Sequence, residues 1–449
     1  MAEIYVRTTG NDTTGTGATG APYATLVKAL SVAAAGDVIY MGGGTYAENS
    51  GSGYLYLTQN FANFVFVEPE PNYSLLDPQA PGSVVITGTS GNYSVQVGAC
   101  SFIQFRNIVF RNNSATATSV MRFLNTTTSN IRFIGCRWDV IGQSGGTNTA
   151  MQSVWDSGSG GTYTISKILW QGCEIRQIGA YPIAGVNFDS QLGFVSDLSF
   201  VQCKFHVGYF PFRMKGVLDF KLFELDLCAY GSSVAGTCMQ IGEDASTGQT
   251  TTGIITRVKA VALTGHASVI GAGCSNVTVI DCSFFGGNNT SNGQGLVIKN
   301  ATGVRVTRAT VYGGCLSGLY LKACQNVLVE DVDVYNRYAT SPALRVGINV
   351  ENNSKVANNT VRNCRFHAPI GTLISWDSAT GDAGGCINDQ NSYLVSGSGT
   401  WGTVRGTAIS DLASLRAAWA GYDQSYNDTG SRVGLKTMLE RGRRSIALN

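Results

Sequence analysis

Residues Ile131–Trp138 read IRFIGCRW, and the same eight-residue pattern returns as ILWQGCEI at Ile168–Ile175, LSFVQCKF at Leu198–Phe205 and VTVIDCSF at Val277–Phe284. An earlier copy is IQFRNIVF at Ile103–Phe110. Later ones are VRVTRATV at Val304–Val311, VLVEDVDV at Val327–Val334 and NTVRNCRF at Asn359–Phe366, with weaker versions near 220–227 and 255–262. Successive copies begin roughly 22 to 37 residues apart, a period typical of stacked repeats, and they predict a solenoid of about ten coils.

Each copy alternates apolar and polar residues, which in a strand sends the apolar set to one face. The sixth position is small or branched (Ile108, Cys136, Cys173, Cys203, Cys282, Ala309, Val332, Cys364). The eighth is bulkier (Phe110, Trp138, Ile175, Phe205, Phe284, Val311, Val334, Phe366). Stacked at about 4.8 Å per coil, these positions predict two interior rows, one thin and one thick. The cysteines then need no chemistry, because a buried thiol is a small hydrophobe. Asn276, Asn326 and Asn359 suggest an asparagine ladder beside the repeat. Clusters such as Gly286–Asn289 supply turn residues between strands.

Composition agrees with an all-β chain. Gly is abundant at 56 and Pro scarce at 9, and charged residues are only 13% of the 449, the balance of strands and tight turns. A net charge of +2 gives no field that favours nucleic acid or a membrane surface as partner. The apolar runs, such as Val38–Met41 and Phe64–Val67, are far short of the roughly 20 residues that cross a bilayer. Twelve cysteines are scattered singly, without zinc-site spacing, and Met1–Arg7 carries no basic and apolar leader pattern. The expectation is free thiols in a protein folded in a reducing cytoplasm.

The ends differ from the middle, as open solenoid ends must. Residues Ala24–Ala35 have helical spacing of Leu26, Leu30 and Ala33, predicting a short plug over the first coil. Ser410 can cap a helix carrying Leu412, Leu415 and Trp419. Beyond it lies a basic stretch with Arg432, Lys436, Arg441, Arg443 and Arg444. The resulting division is a cap over 1–50, the solenoid over 51–400, and a closing helix with a basic tail over 401–449.

The N-terminal residues Tyr5-Val6-Arg7, Gly10-Asn11-Asp12, Pro22-Tyr23-Ala24-Thr25, Gly36-Asp37-Val38-Ile39 and Gly43-Gly44-Thr45-Tyr46 resemble the opening module of the pectate-lyase-like superfamily of right-handed parallel β-helix proteins. The segment Asp389–Tyr393, with Leu412–Leu415, Trp419 and Gly421-Tyr422-Asp423, is similar to the segment that closes such helices. The resemblance implies a right-handed parallel β-helix and is nearly silent on reaction, because that fold hosts lyases, glycosidases, esterases, epimerases and non-catalytic spikes. The closing Asp-Pro-x-Phe signature of the family is missing after Asp428. With the absent leader pattern, this suits a bacteriophage virion protein assembled in the host cytoplasm, and such tailspikes are commonly trimers. A secreted bacterial enzyme fits less well.

Polysaccharide chemistry needs paired carboxylates, or for lyases a base beside a calcium-neutralised uronate. The order Glu243-Asp244, then Gly265-His266-Ala267, then Val297-Ile298-Lys299 resembles polygalacturonases, with Ala267 and Val297 in place of that family's Gly and Arg. That likeness makes Asp244 a candidate general acid, Glu243 the carboxylate that activates water, and His266 and Lys299 their partners. The ordinary account is a polar loop, a turn residue and a solvated strand residue. Asp281, Asp331 and Asp333 form a candidate calcium set, since alternation places Asp331 and Asp333 on one face; solvated charges are the plainer account. Tyr209, Phe212, Arg213 and Lys215 form an aromatic and basic loop that could stack and bind sugars, as Tyr335 and Arg337 do more weakly. A packed loop or protomer contact is the alternative. No cofactor is implied apart from that calcium.

Two function classes follow. One is a virion appendage, probing or cleaving a bacterial surface polysaccharide as hydrolase or lyase and docked to other virion proteins through its basic tail. The other is a structural spacer such as a head fibre, decoration or baseplate protein. A bacterial polysaccharide lyase or hydrolase is a third.

Overall fold

The computed structural model describes residues 1–51, 53–71, 83–89, 93–112, 119–124, 126–141, 148–153, 163–177, 183–189, 194–231, 237–242, 250–288, 293–336, 342–347, 357–376, 387–404, 407–420 and 432–433. The chain is a parallel β-helix. One coil shows the plan: Thr164–Gln171 in the first sheet, Glu174–Gln177 in the second and Ile183–Asp189 in the third, after which Phe194–Val201 lies back over the first strand. Each strand pairs in parallel with its counterpart one coil on, Ile168 with Leu198, Glu174 with Lys204 and Val186 with Phe212.

The first sheet is 15-stranded, with Val217–Leu218 off its main path. It includes Glu3–Val6, Val38–Met41 and Asn60–Pro69 before the first octapeptide and Ile387–Asp389 after the last, so the solenoid is longer than the repeat alone indicates. Near the C-terminal end, Arg365–Trp376 pairs with Asp333–Asn336 of the second sheet through its first part and with Pro342–Gly347 of the third through its last. That strand turns the corner at a bulge between Ala368 and Ile370.

Both interior rows form as the octapeptides predict. The backbone N–H of Glu174 donates to Cys136 O at 3.0 Å, that of Lys204 to Cys173 O at 2.9 Å and that of Asp226 to Cys203 O at 3.0 Å, so the three cysteines stand in one column. Each buried thiol donates to a carbonyl of the coil below: Cys173 to Phe133 at 3.3 Å and Cys203 to Trp170 at 3.5 Å. The thick row runs Phe110, Trp138, Ile175, Phe205, Leu227 in register. A third row comes from the octapeptide's third position, where Phe105, Phe133, Trp170 and Phe200 stack with near-parallel rings. All eleven described cysteines are free.

The fifth octapeptide position turns the first sheet into the second, and its residue adopts a left-handed conformation in coil after coil: Asn107, Gly135, Gly172, Gln202, Asp281, Arg308, Asp331 and Asn363 have φ between 51 and 62°. Glycine or a short polar side chain suits that corner best. The asparagines do not form one ladder. Asn276 and Asn326 occupy left-handed kinks, whereas Asn359 is buried, accepting from Val327 N at 2.9 Å and donating to Cys324 O at 3.0 Å.

At the start, helix α1 (Leu26–Val32) is capped by the Thr25 hydroxyl and buries Leu26, Ala29 and Leu30. At the end, helix α2 (Leu412–Ala420) buries Leu415. Its first-turn acceptor is Asp411, which takes the Ser414 N–H at 2.7 Å, rather than Ser410. Beyond Arg432–Val433 the basic stretch lies outside the described residues. No helix among the described residues is long and apolar enough to cross a membrane.

Candidate functional site

The third sheet is built from short apolar–polar–apolar strands, among them Val95–Val97 (VQV), Phe212–Lys215 (FRMK) and Met239–Ile241 (MQI), which turn the middle residue outward. Pairing lines those residues up in one exterior row of Tyr56, Gln96, Arg122, Asn187, Arg213 and Gln240, with Gln152 at the same backbone register between Arg122 and Asn187. The row goes on through Val269, Val297, Tyr320, Ser375 and Thr403, with Arg345 at the same backbone register between Tyr320 and Ser375. No acidic residue occupies this position in any of these coils.

Arg122 Nε, Asn187 Oδ1 and Arg213 Nε are buried atoms without a hydrogen-bond partner among the described residues. Leaving such groups unsatisfied costs about 1–3 kcal/mol each, which a bound polar ligand would recover. At the row's N-terminal end Tyr54 packs edge-on against Tyr56 and Tyr93, centroids 6.4 and 6.2 Å apart. The Arg122 guanidinium lies 4.6 Å above the Tyr93 ring and its Nη1 donates to the Tyr93 hydroxyl. From Tyr56 to Gln240 the face thus combines half-buried tyrosines, amides and guanidinium groups, a set that can bind hydroxyls and oxyanions, before Val269 and Val297 interrupt it.

Of the residues singled out from sequence, Arg213 belongs to this row and Lys215 follows it outward on the same strand, almost buried. Phe212 does not. The segment is a strand rather than a loop, so alternation turns Phe212 inward; it is fully buried, its ring 5.0 Å from Phe200. Tyr209 is half-buried just before that strand, its ring 4.9 Å from Phe210. Tyr335 lies instead on the second sheet, in an exterior stack with Phe285 and Tyr312, spaced 4.7 and 4.9 Å and capped edge-on by His367 at 5.8 Å. Rings stacked this closely cover one another's faces, so that row presents edges to solvent rather than platforms for sugars.

Glu243, Asp244 and Arg337 lie outside the described residues. His266 precedes the third-sheet strand Ser268–Ile270, and its carbonyl accepts from Cys238 N at 2.9 Å. Lys299 ends the paired strand Leu296–Lys299, so the two occupy opposite edges of the sheet. Lys299 stands in register with Lys322.

The three aspartates do not share a point. Asp281 is bound by Arg308 through two hydrogen bonds of 2.7 and 3.1 Å, and Asp333 is paired with Arg365. The left-handed corner at Asp331, φ 57°, breaks the alternation that would set it beside Asp333. These corner charges instead alternate along the axis as Glu224, Arg257, Asp281, Arg308 and Asp331, with Arg257 2.7 Å from Glu224. Among the described residues no group of three His, Cys, Asp or Glu side chains is arranged to hold a metal ion.

Sequence reading missed Gln96, Arg122, Asn187 and Gln240. Their signal is a three-residue motif (VQV, MRF, VNF, FRM, MQI) set between connections of unequal length, visible once the octapeptides fix the coil frame.

Among known proteins, the family model described as "Right handed beta helix region" matches residues 231–398, and that of a protein of unknown function (DUF1565) matches residues 8–61. No curated protein sequence matches the chain. Similar solved structures include the A-module of a mannuronan C-5 epimerase from Azotobacter vinelandii, at 13% identity and TM-score 0.46 over 91% of this chain and 93% of that one. Tailspike protein 3 of bacteriophage CBA120 has 10% identity and TM-score 0.46 over 87% of this chain and 57% of its own. A lacto-N-biosidase from Eubacterium ramulus has 11% identity and TM-score 0.39 over 97% and 68%. With strands of each coil paired in parallel to those of the next and residues 231–398 matching the right-handed β-helix region, the chain folds as a right-handed parallel β-helix.

Proposed function

We propose that the protein is a polysaccharide-binding β-helix that holds a glycan chain lengthwise along the exterior row of its third sheet. The observation that carries this reading is Arg213, half-buried, its Nε without a hydrogen-bond partner among the described residues, in a row that also holds Arg122 and side-chain amides and contains no carboxylate. A buried polar group is normally satisfied, and one left open on a surface repeated every coil suits a ligand that is itself repetitive. The tyrosines at one end supply apolar ring surface for sugars. The row has acceptors and donors to hold a glycan but no acidic group to protonate a leaving oxygen, so it supports binding rather than cleavage.

The finer setting we propose is a bacteriophage appendage acting on a bacterial surface polysaccharide, as a trimer docked through its basic C-terminal stretch. The resemblance of the N-terminal residues to the opening module of the pectate-lyase-like β-helix superfamily, whose fold also hosts spikes, supports it, as does the basic stretch from Arg432 to Arg444. Truncation after Thr429 should prevent incorporation into particles.

The binding reading is tested by titrating the full chain with purified bacterial capsule and O-antigen polysaccharides. Binding should fall about tenfold or more in Arg213→Ala and Asn187→Ala, as expected when a charged and a neutral hydrogen bond to ligand are removed. Unchanged affinity in both variants for every polymer that binds would remove the third sheet from consideration.

A further inference from the structure

The exterior of the first sheet carries a second feature, which does not depend on the third-sheet row. A groove of about 300 Å³ opens there, lined by Phe64, Asn130, Arg132, Lys167, Asp197 and Ser199. Its construction follows from a backbone irregularity. Phe102, Asn130, Lys167 and Asp197 occupy the same position in four consecutive coils, each with φ between 51 and 59°. The strands pair in register on either side of them, Ser101 with Ser129 and Ile103 with Ile131, then Ser166 with Ser196 and Ile168 with Leu198. A left-handed residue interrupts the alternation, so two exterior rows, Asn130–Lys167–Asp197 and Arg132–Leu169–Ser199, run side by side and form the groove.

Three properties of the groove point to a ligand. Its cations are unmatched: Asp197 is taken by Lys221 at 3.1 Å, while among the described residues Arg132 and Lys167 form neither a hydrogen bond nor an ion pair. The Arg132 guanidinium lies 4.0 Å above the Phe64 ring, which fixes its plane and leaves its edge N–H groups free to donate. Finally, Phe102 holds a left-handed conformation that a bulky side chain rarely adopts, and its ring meets Phe64 edge-on at 5.4 Å. Such strain gathers at ligand clamps.

We propose that this groove binds a ligand with a ring-sized body and an oxyanion, such as a sugar acid. The oxyanion would sit between the Arg132 fork and the Lys167 ammonium, and the ring beside Phe64, with Asn130 and Ser199 available to hydroxyls. Binding is purely non-covalent.

Titration calorimetry of the full-length chain with glucuronate, glucose and inorganic phosphate tests this. Glucuronate should bind, with glucose and phosphate each about tenfold weaker or more, since each lacks one of the two recognised parts. Lys167→Asn suits the left-handed backbone and removes the ammonium; it and Arg132→Gln should each weaken glucuronate about tenfold while leaving the melting temperature unchanged. Arg213→Ala should bind glucuronate as the parent does, which separates this site from the third-sheet row. Equal binding of glucuronate and glucose, phosphate binding as tight as glucuronate, or unaltered affinity in both groove variants would overturn the proposal.

Discussion

Arg176 faces Asp139 across one coil step with two nitrogens on two oxygens, Nε to Oδ1 at 3.0 Å and Nη2 to Oδ2 at 3.2 Å. Arg111 reaches the same carboxylate from the preceding coil at 3.2 Å and Arg137 from the same strand at 3.0 Å. Asp139 is fully buried beneath them. One carboxylate therefore holds three guanidinium groups together on the exterior of the second sheet.

Removing that charge should cost far more than removing an exposed one. Asp139→Asn keeps the shape but leaves three arginines facing each other, and a loss of about 3 kcal/mol is expected, as for other broken buried pairs. Asp197→Asn, which removes the exposed partner of Lys221, should cost less than about 1 kcal/mol. Urea unfolding followed by far-ultraviolet dichroism measures both. Equal losses would mean that the arginine cluster separates freely into solvent.

The thiols provide a test of the interior. Burial pushes Cys136, Cys274 and Cys282 up to about 12, so they hold almost no thiolate at neutral pH. Cys228 and Cys315 alone among the described cysteines are partly exposed. Alkylation of the native protein by iodoacetamide, followed by peptide mass spectrometry, should label those two first and the column Cys136–Cys173–Cys203 only after unfolding. Early labelling of the column would show that the coils open there.

The columns were legible in sequence because stacking at fixed register turns a position in the octapeptide into a position in space. Cys136, Cys173 and Cys203 needed no other information to be placed together. Chemistry at the corners was not legible in the same way. Asp331 and Asp333 look like neighbours on one face only if the strand continues, and the left-handed turn at Asp331 is a property of the fifth position that an aspartate side chain does not announce. Phe212 was misplaced for the opposite reason: Tyr209–Lys215 has the composition of a loop, yet its last four residues pair with Val186–Asp189 and follow the alternation of a strand. The groove beside Lys167 depends on a backbone kink shared by Phe, Asn, Lys and Asp, residue types with no common signal.

The aromatic row gives a prediction with two arms. Trp170 stacks on Phe200 at 4.2 Å with planes 3° apart and on Phe133 at 5.8 Å, but its buried Nε1–H has no hydrogen-bond partner among the described residues. Trp170→Ala should cost about 4 kcal/mol through lost burial and the cavity left behind. Trp170→Phe extends the row Phe105–Phe133–Phe200 and removes a donor whose burial costs about 1–3 kcal/mol, which offsets most of the lost contact area. Stability within about 1 kcal/mol of the parent is expected for the phenylalanine variant in the same urea experiment. A large loss there would show that indole volume, not aromatic stacking, holds these coils.

The N-terminal cap should loosen as pH rises. Glu48, 1% exposed, accepts from Leu26 N at 2.7 Å through Oε1 and from Val27 N at 3.2 Å through Oε2, tying helix α1 to the second sheet. Burial raises its carboxyl from 4.5 to about 7, against the opposing pull of those two N–H donors. Because the folded value lies above the unfolded one, the stabilisation is complete below about pH 4.5 and is lost as pH climbs through about 7, a change of about 3 kcal/mol for a shift of this size. Hydrogen exchange at Ala29 and Leu30, corrected for the intrinsic rate, should therefore show less protection at about pH 8 than at about pH 5. Glu48→Gln cannot ionise and should hold the same protection at both. If the variant keeps the parent's pH dependence, the cap responds to another group, and Asp12, whose carboxylate accepts from Ala24 N and Thr25 at the same helix start, is the nearest to test by Asp12→Asn.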